Sequence, residues 1–185
     1  MTDAELRAAL VEHAYLEGDF VLRSGARSSY YLDKYRFETR PELLEELGVR
    51  IAAAVAEVDA DATRLAGPEL GAVALVAAAS LQSRLPFVIV RKQQKSYGTA
   101  KRLEGGFEPG ERVCLVEDVV TSGGAALEAV AALREAGLEC GAAVCVVDRE
   151  EGGSEALASY EVALRPLFRS IELVPASESA AKPHD

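Results

Sequence analysis

Two adjacent acids leave an apolar run and lead at once into small hydroxyl and glycine residues. The segment reads Val116-Glu117-Asp118-Val119-Val120-Thr121-Ser122-Gly123-Gly124-Ala125. Backbone N–H groups in such a loop, with a helix opening behind them, form a cradle for a phosphate. The two carboxylates are suited to accept hydrogen bonds from the hydroxyls of a sugar. No Gly-Lys-Ser/Thr follows, so this is not a Walker loop.

Four further segments carry chemistry. Arg91-Lys92-Gln93-Gln94-Lys95-Ser96-Tyr97-Gly98-Thr99 is basic within an acidic chain. It is open between an anion-binding loop and a solvated basic one. Asp148-Arg149-Glu150-Glu151-Gly152-Gly153 holds an arginine whose planar fork matches a carboxylate. The alternative is a surface ion pair with the neighbouring acids. Gly67-Pro68-Glu69-Leu70-Gly71 has glycines that permit close backbone approach. Glu69 would repel a bound anion, so it either points away or meets the water shell of a metal. Leu22-Arg23-Ser24-Gly25-Ala26-Arg27-Ser28-Ser29-Tyr30-Tyr31-Leu32-Asp33 combines a cation with two aromatics on alternate strand faces.

Other chemistries are poorly supplied. The histidines are His13 and His184 alone, which leaves little for histidine triads or metal sites. Cys114, Cys140 and Cys145 lie in apolar runs without CxxC spacing and read as buried thiols in a reducing compartment. A net charge of −10 argues against a nucleic-acid binder. No apolar run is long enough for a membrane span, and the first residues lack the pattern of a signal peptide. The expected location is the cytoplasm.

The elements that must position these loops follow from periodicity. Asp3 is expected to cap a helix over 4–16, with Leu6, Ala9, Leu10, His13 and Ala14 on one face. Short extended runs are expected at 20–23 and 30–32. Pro41 suits the first turn of a helix striped by Leu44, Leu47, Ile51, Val55 and Val58. Strands at 64–66, 86–90, 112–116 and 142–147, with a weaker one at 162–164, then alternate with helices over about 72–83 and 124–137. A polar loop spans 92–110. Such alternation implies an α/β chain with a parallel sheet and helices on both faces. Ligands then bind beyond the carboxyl ends of the strands, where the unusual loops fall.

The pattern of two apolar residues, two acids, two apolar residues and Thr-x-Gly at 115–123 resembles the PRPP-binding signature of type I phosphoribosyltransferases (PRPP is phosphoribosyl pyrophosphate). The Lys95 loop, Arg149 and the Arg23 segment resemble the orotate branch of that family. The likeness runs over about residues 21–167. Most members carry Lys where Arg23 stands, and many carry His where Tyr97 stands.

The resemblance implies a type I phosphoribosyltransferase fold, a mostly parallel central sheet flanked by helices. A single domain over 1–185 would comprise a small hood over 1–40, a core over 41–170 and a frayed tail at 177–185. It implies transfer of ribose 5-phosphate from PRPP to orotate, giving orotidine 5′-monophosphate and pyrophosphate in pyrimidine biosynthesis, without a protein nucleophile. PRPP would bind with Mg2+, held mainly by PRPP rather than by protein ligands. Lys95 and Asp118 would be catalytic. PRPP would meet Arg91, Lys92, Lys95, Tyr97, Glu117 to Ala125 of the acid loop, and Glu69, Leu70 and Gly71. Orotate would meet Arg23, Tyr30 or Tyr31, Thr121 and Arg149. Lys95 would reach the neighbouring subunit of a homodimer with shared active sites. Two rivals stay open: a PRPP-sensing regulator without catalysis, and an enzyme of the same fold acting on xanthine or another base.

Overall fold

The computed structural model describes residues 1–21, 27–92 and 102–173. Its centre is a six-stranded sheet in the order β5-β4-β3-β6-β7-β8. The strands are β3 (Arg64–Pro68), β4 (Phe87–Val90), β5 (Leu103–Glu104), β6 (Arg112–Val120), β7 (Glu139–Asp148) and β8 (Ala163–Arg169). All pairings are parallel except β4 with β5, which is antiparallel. The α/β expectation therefore holds.

The sheet is covered on both faces, and β6 shows why its sequence is a continuous apolar run. Cys114 and Val116 join one buried cluster, whereas Val113 and Leu115 join the other. Strand period two thus sends alternate residues into two cores, and neither face tolerates polarity. On the first face lie α1 (Asp3–Ala14), α3 (Pro41–Val58) and α4 (Ala72–Ser83). The second face carries α5 (Gly124–Glu135) and α6 (Gly153–Ser159).

Chain direction decides where a crevice opens. From β3 the chain passes through α4 to β4 on one side, and from β6 through α5 to β7 on the other. Right-handed crossovers running opposite ways put α4 and α5 on opposite faces. Between β3 and β6 the two loops part, and a ligand crevice forms beyond their carboxyl ends.

Over this end lies a small antiparallel pair, β1 (Tyr15–Val21) with β2 (Arg27–Leu32), followed by the short α2 (Lys34–Glu38). Asp33 N–H donates to the Ala14 carbonyl at 2.9 Å, which ties the end of β2 to the end of α1. A last short helix, α7 (Ser170–Leu173), follows β8.

Several expectations need correction. Thr2, not Asp3, caps α1: its hydroxyl accepts from Glu5 N–H at 3.2 Å, and Glu5 returns the bond to Thr2 N–H at 2.7 Å. Asp3 is free to pair with Arg50. The helix ends at Ala14, because Tyr15 is already extended and faces Leu32 across the hairpin. β6 runs on through Val120, so Glu117 and Asp118 are strand residues rather than loop residues. β5 falls within the expected polar loop, and β8 extends to Arg169. The expected tail at 177–185 lies outside the described residues.

Leu47 lies in α3 with no exposed surface, in the first-face core. Leu47→Ala should therefore lower unfolding stability by about 2–5 kcal/mol through lost burial and a residual cavity. Urea titration checks it: the midpoint should fall while the slope stays unchanged.

Candidate active site

The crevice between β3 and β6 is built around one close contact. Gly71 is the residue before α4, and its backbone angles are ordinary, with φ −59°. Its need for glycine is spatial. An added Cβ would lie 1.6 Å from Asp118 Oδ2 and 2.8 Å from Lys34 Nζ. The Gly67–Gly71 loop, the end of β6 and α2 thus meet at one point. Lys34 donates to Asp118 Oδ2, and the other oxygen of Asp118 accepts from Val119 N–H.

Three carboxyls share this corner. Glu38, Glu117 and Asp118 are 3%, 6% and 4% exposed. Burial, reinforced by the charge of Asp118, pushes Glu117 up to about 8 against the pull of Lys34. Burial and Asp118 likewise push Glu38 up to about 8. Burial disfavours the charge on Lys34, but its bond to Asp118 and that carboxylate's field outweigh this and raise it. Near neutral pH the corner therefore holds protonated Glu117 and Glu38 beside an ion pair.

Beyond Val120, the chain turns through Thr121 and Ser122, both exposed, into α5. Gly123 precedes the helix at φ +81°, a backbone region that glycine enters without penalty. No acidic side chain lies in the first turn of α5 and no side chain caps it. The first-turn N–H groups lack intrahelical partners, and the helix dipole favours an anion there. Gly124 and Ala125 are exposed at the same end, and Val119 is half-buried.

The loop after β7 is fastened to this one. Arg149 N–H donates to the Val120 carbonyl at 2.8 Å. The Arg149 side chain is 14% exposed and pairs with Glu151 at 2.9 Å. Its guanidinium carbon also lies 5.9 Å from the centroid of the Tyr30 ring. Tyr30 in turn stacks on Tyr15, with centroids 5.5 Å apart. Tyr31 leaves this group: it is 42% exposed and packs against Phe20. Of the two tyrosines, Tyr30 joins Arg149.

Arg91 and Lys92 follow β4. Glu69 turns toward them: one oxygen accepts from Lys92 N–H at 2.9 Å and the other lies 3.8 Å from Arg91 Nε. Glu69 therefore faces the basic segment. Arg91 also reaches Glu104 at 3.3 Å. Leu70 is 68% exposed at the rim. Arg23, Lys95 and Tyr97 lie outside the described residues. Among the described residues, no group of three or more His, Cys, Asp and Glu could hold a metal ion.

The sequence reading passed over Lys34 and Glu38. A charge pattern exists at Asp33-Lys34-Tyr35-Arg36-Phe37-Glu38, but five helical residues show no stripe that would reveal which face is buried.

Comparison with known proteins agrees with this geometry. The family model described as "Phosphoribosyl transferase domain" matches residues 42–169. The orotate phosphoribosyltransferase of Methanocella arvoryzae is 52% identical over 157 residues, covering 85% of this chain and 88% of that one. A crystal structure of Mycobacterium tuberculosis H37Rv orotate phosphoribosyltransferase in complex with Fe(III) dicitrate superposes with a TM-score of 0.83 at 30% identity, over 94% of this chain and 99% of that one. Another of that enzyme, in complex with PRPP, gives 0.78 at 28% identity, over 92% and 98%. With its switch-point crevice, acid pair and open helix end, the chain belongs to the phosphoribosyl transferase family, among the orotate phosphoribosyltransferases.

Proposed function

We propose that the protein transfers ribose 5-phosphate from PRPP to orotate, releasing pyrophosphate and forming orotidine 5′-monophosphate. The observation that carries the choice of base is Arg149, a largely buried guanidinium beside Tyr30 at the mouth of the acid loop. Orotate has a carboxylate that purine bases lack, and Glu151 holds the place that such a group would take. Thr121 lies on the adjoining loop after β6 and would complete the base site, with Arg23 as a further cation.

The remaining roles follow from chemistry. Glu117 and Asp118 hold the ribose hydroxyls, and 121–125 hold the 5′-phosphate. Arg91, Lys92, Lys95 and Tyr97 meet the pyrophosphate, and the backbone of 69–71 lines its path. As the ribose–pyrophosphate bond breaks, negative charge grows on the departing group, and preorganised cations stabilise it. Magnesium would be held mainly by PRPP rather than by protein ligands and would supply charge neutralisation on the phosphate oxygens that it prefers. We further propose a cytoplasmic homodimer in which Lys95 completes the partner's site. No helix among the described residues is long and apolar enough to cross a membrane.

The test is turnover. Purified protein with PRPP and magnesium should convert orotate to orotidine 5′-monophosphate and pyrophosphate, and should leave hypoxanthine, adenine and xanthine unchanged. Turnover of a purine without orotate, or PRPP binding without any turnover, defeats the reading.

Arg149→Ala should weaken orotate binding by about one to two orders of magnitude for each charge-assisted hydrogen bond lost. PRPP binding should stay nearly constant. Arg149→Lys should not rescue fully, since an ammonium cannot present two parallel donors. Calorimetric titration of each ligand distinguishes this from general damage, which would weaken both.

Lys95→Ala should slow the single-turnover step by on the order of a hundredfold or more. Mixed dimers of Lys95→Ala and Arg149→Ala chains should regain activity at one site in two. A full-activity monomer, or mixed dimers without recovery, rules out sharing.

A further inference from the structure

The roles above leave Lys34 and Glu38 unused. They stand four residues apart in α2 and therefore share a face. That face meets the carboxyl end of β6: Lys34 donates to Asp118 Oδ2 across 84 residues of sequence. Behind it Glu38 is 3% exposed, and its Oε1 has no hydrogen-bond partner among the described residues.

Asp118 is useful to a ribose only if its oxygens keep a fixed direction and an unshared charge. Both conditions trace to its partners. Val119 N–H holds one oxygen. Lys34 holds the other in the space that the missing side chain of Gly71 leaves open. Without the ammonium, Asp118 Oδ2 would lose the donor that fixes it. The carboxyl could then turn about the Val119 N–H bond, away from the direction that the ribose site requires. Lys34 is 29% exposed, so its two remaining donors stay accessible from the crevice.

We propose that Lys34 is a positioning residue for the transfer reaction, holding Asp118 over Gly71 as an oriented carboxylate. The inference rests on the functional reading above, in that the ligand of Asp118 is the ribose of PRPP. It adds the hood's own contribution: α2 couples the N-terminal segment to the acid pair, and base recognition by Arg149 is independent of it.

Steady-state kinetics with magnesium, PRPP and orotate test the proposal on the full chain. Lys34→Met keeps an unbranched stem and removes the charge. It should raise KM for PRPP about tenfold or more while KM for orotate stays within about threefold. In an Asp118→Asn background, Lys34→Met should add less than about a further twofold, because its effect passes through Asp118. A PRPP KM within about twofold of wild type for Lys34→Met overturns the proposal, as does simple multiplication of the Lys34 and Asp118 effects. Should the methionine variant fail to fold, Lys34→Gln takes its place under the same two criteria. Wild-type protein that binds no PRPP overturns the functional reading and this inference together; an active wild type indifferent to Lys34 overturns this inference alone.

Discussion

A carboxylate at the end of a buried strand is costly unless a cation and hydrogen-bond donors meet it, and Asp118 has both in Lys34 and Val119 N–H. Removing one partner of a buried pair typically costs about 3–5 kcal/mol, because the other charge is left uncompensated. The Lys34 side chain keeps some solvent, so the lower part of that range applies. The rest of the site is arranged around this contact. Gly71 must lack a side chain to admit it, and α2 must cross the end of β6 to deliver the lysine. The hood, the loop after β3 and the acid pair are thereby coupled through one ion pair.

A second coupling joins the loop after β6 to the loop after β7. Arg149 N–H bonds the Val120 carbonyl, and a Cβ on Gly153 would fall 2.4 Å from the Thr121 carbonyl oxygen. The loop after β7 is therefore packed against the loop after β6. The Arg149 side chain and the segment 121–125 thus share a rigid base, which suits the proposed transfer between two bound reactants. Tyr30, stacked on Tyr15 and facing Arg149, supplies the wall that carries this geometry into the hood.

The elements that sequence periodicity exposed were those with long apolar patterns: α3, α4, β4, α5 and β7. The Arg149 loop and the acid pair were legible because unusual residue types follow buried strands. Three features were not. β6 extends through Val120 because Glu117, Val119 and Val120 stay paired with β7, while the acids at 117 and 118 mask the apolar run that signals a strand. β5 has two residues, too few for any period. The contribution of α2 was hidden for a different reason: Lys34 and Asp118 are 84 residues apart in sequence, and only the tertiary fold, which lays α2 on the end of β6, brings them together. Glu69, undecided on composition alone, faces Arg91 and Lys92 because the β3–β4 register sets Pro68 beside Val90.

The charge of the chain and the charge of its ligand have the same sign, and the corner at β6 shows how the conflict is relieved. A net charge of −10 repels a polyphosphate at long range, but screening limits that repulsion to about 8 Å at physiological ionic strength. Within the crevice the local groups decide. Burial keeps Glu117 and Glu38 protonated near neutral pH, and Lys34 neutralises Asp118, so the corner approaches zero net charge despite its three carboxyls. Glu69, the remaining acid in the loop after β3, is turned to Arg91 and the Lys92 backbone. The helix end at 123–125 then adds partial positive charge without any basic side chain. A crevice suited to an anion is thus made by suppressing and pairing acids at their positions.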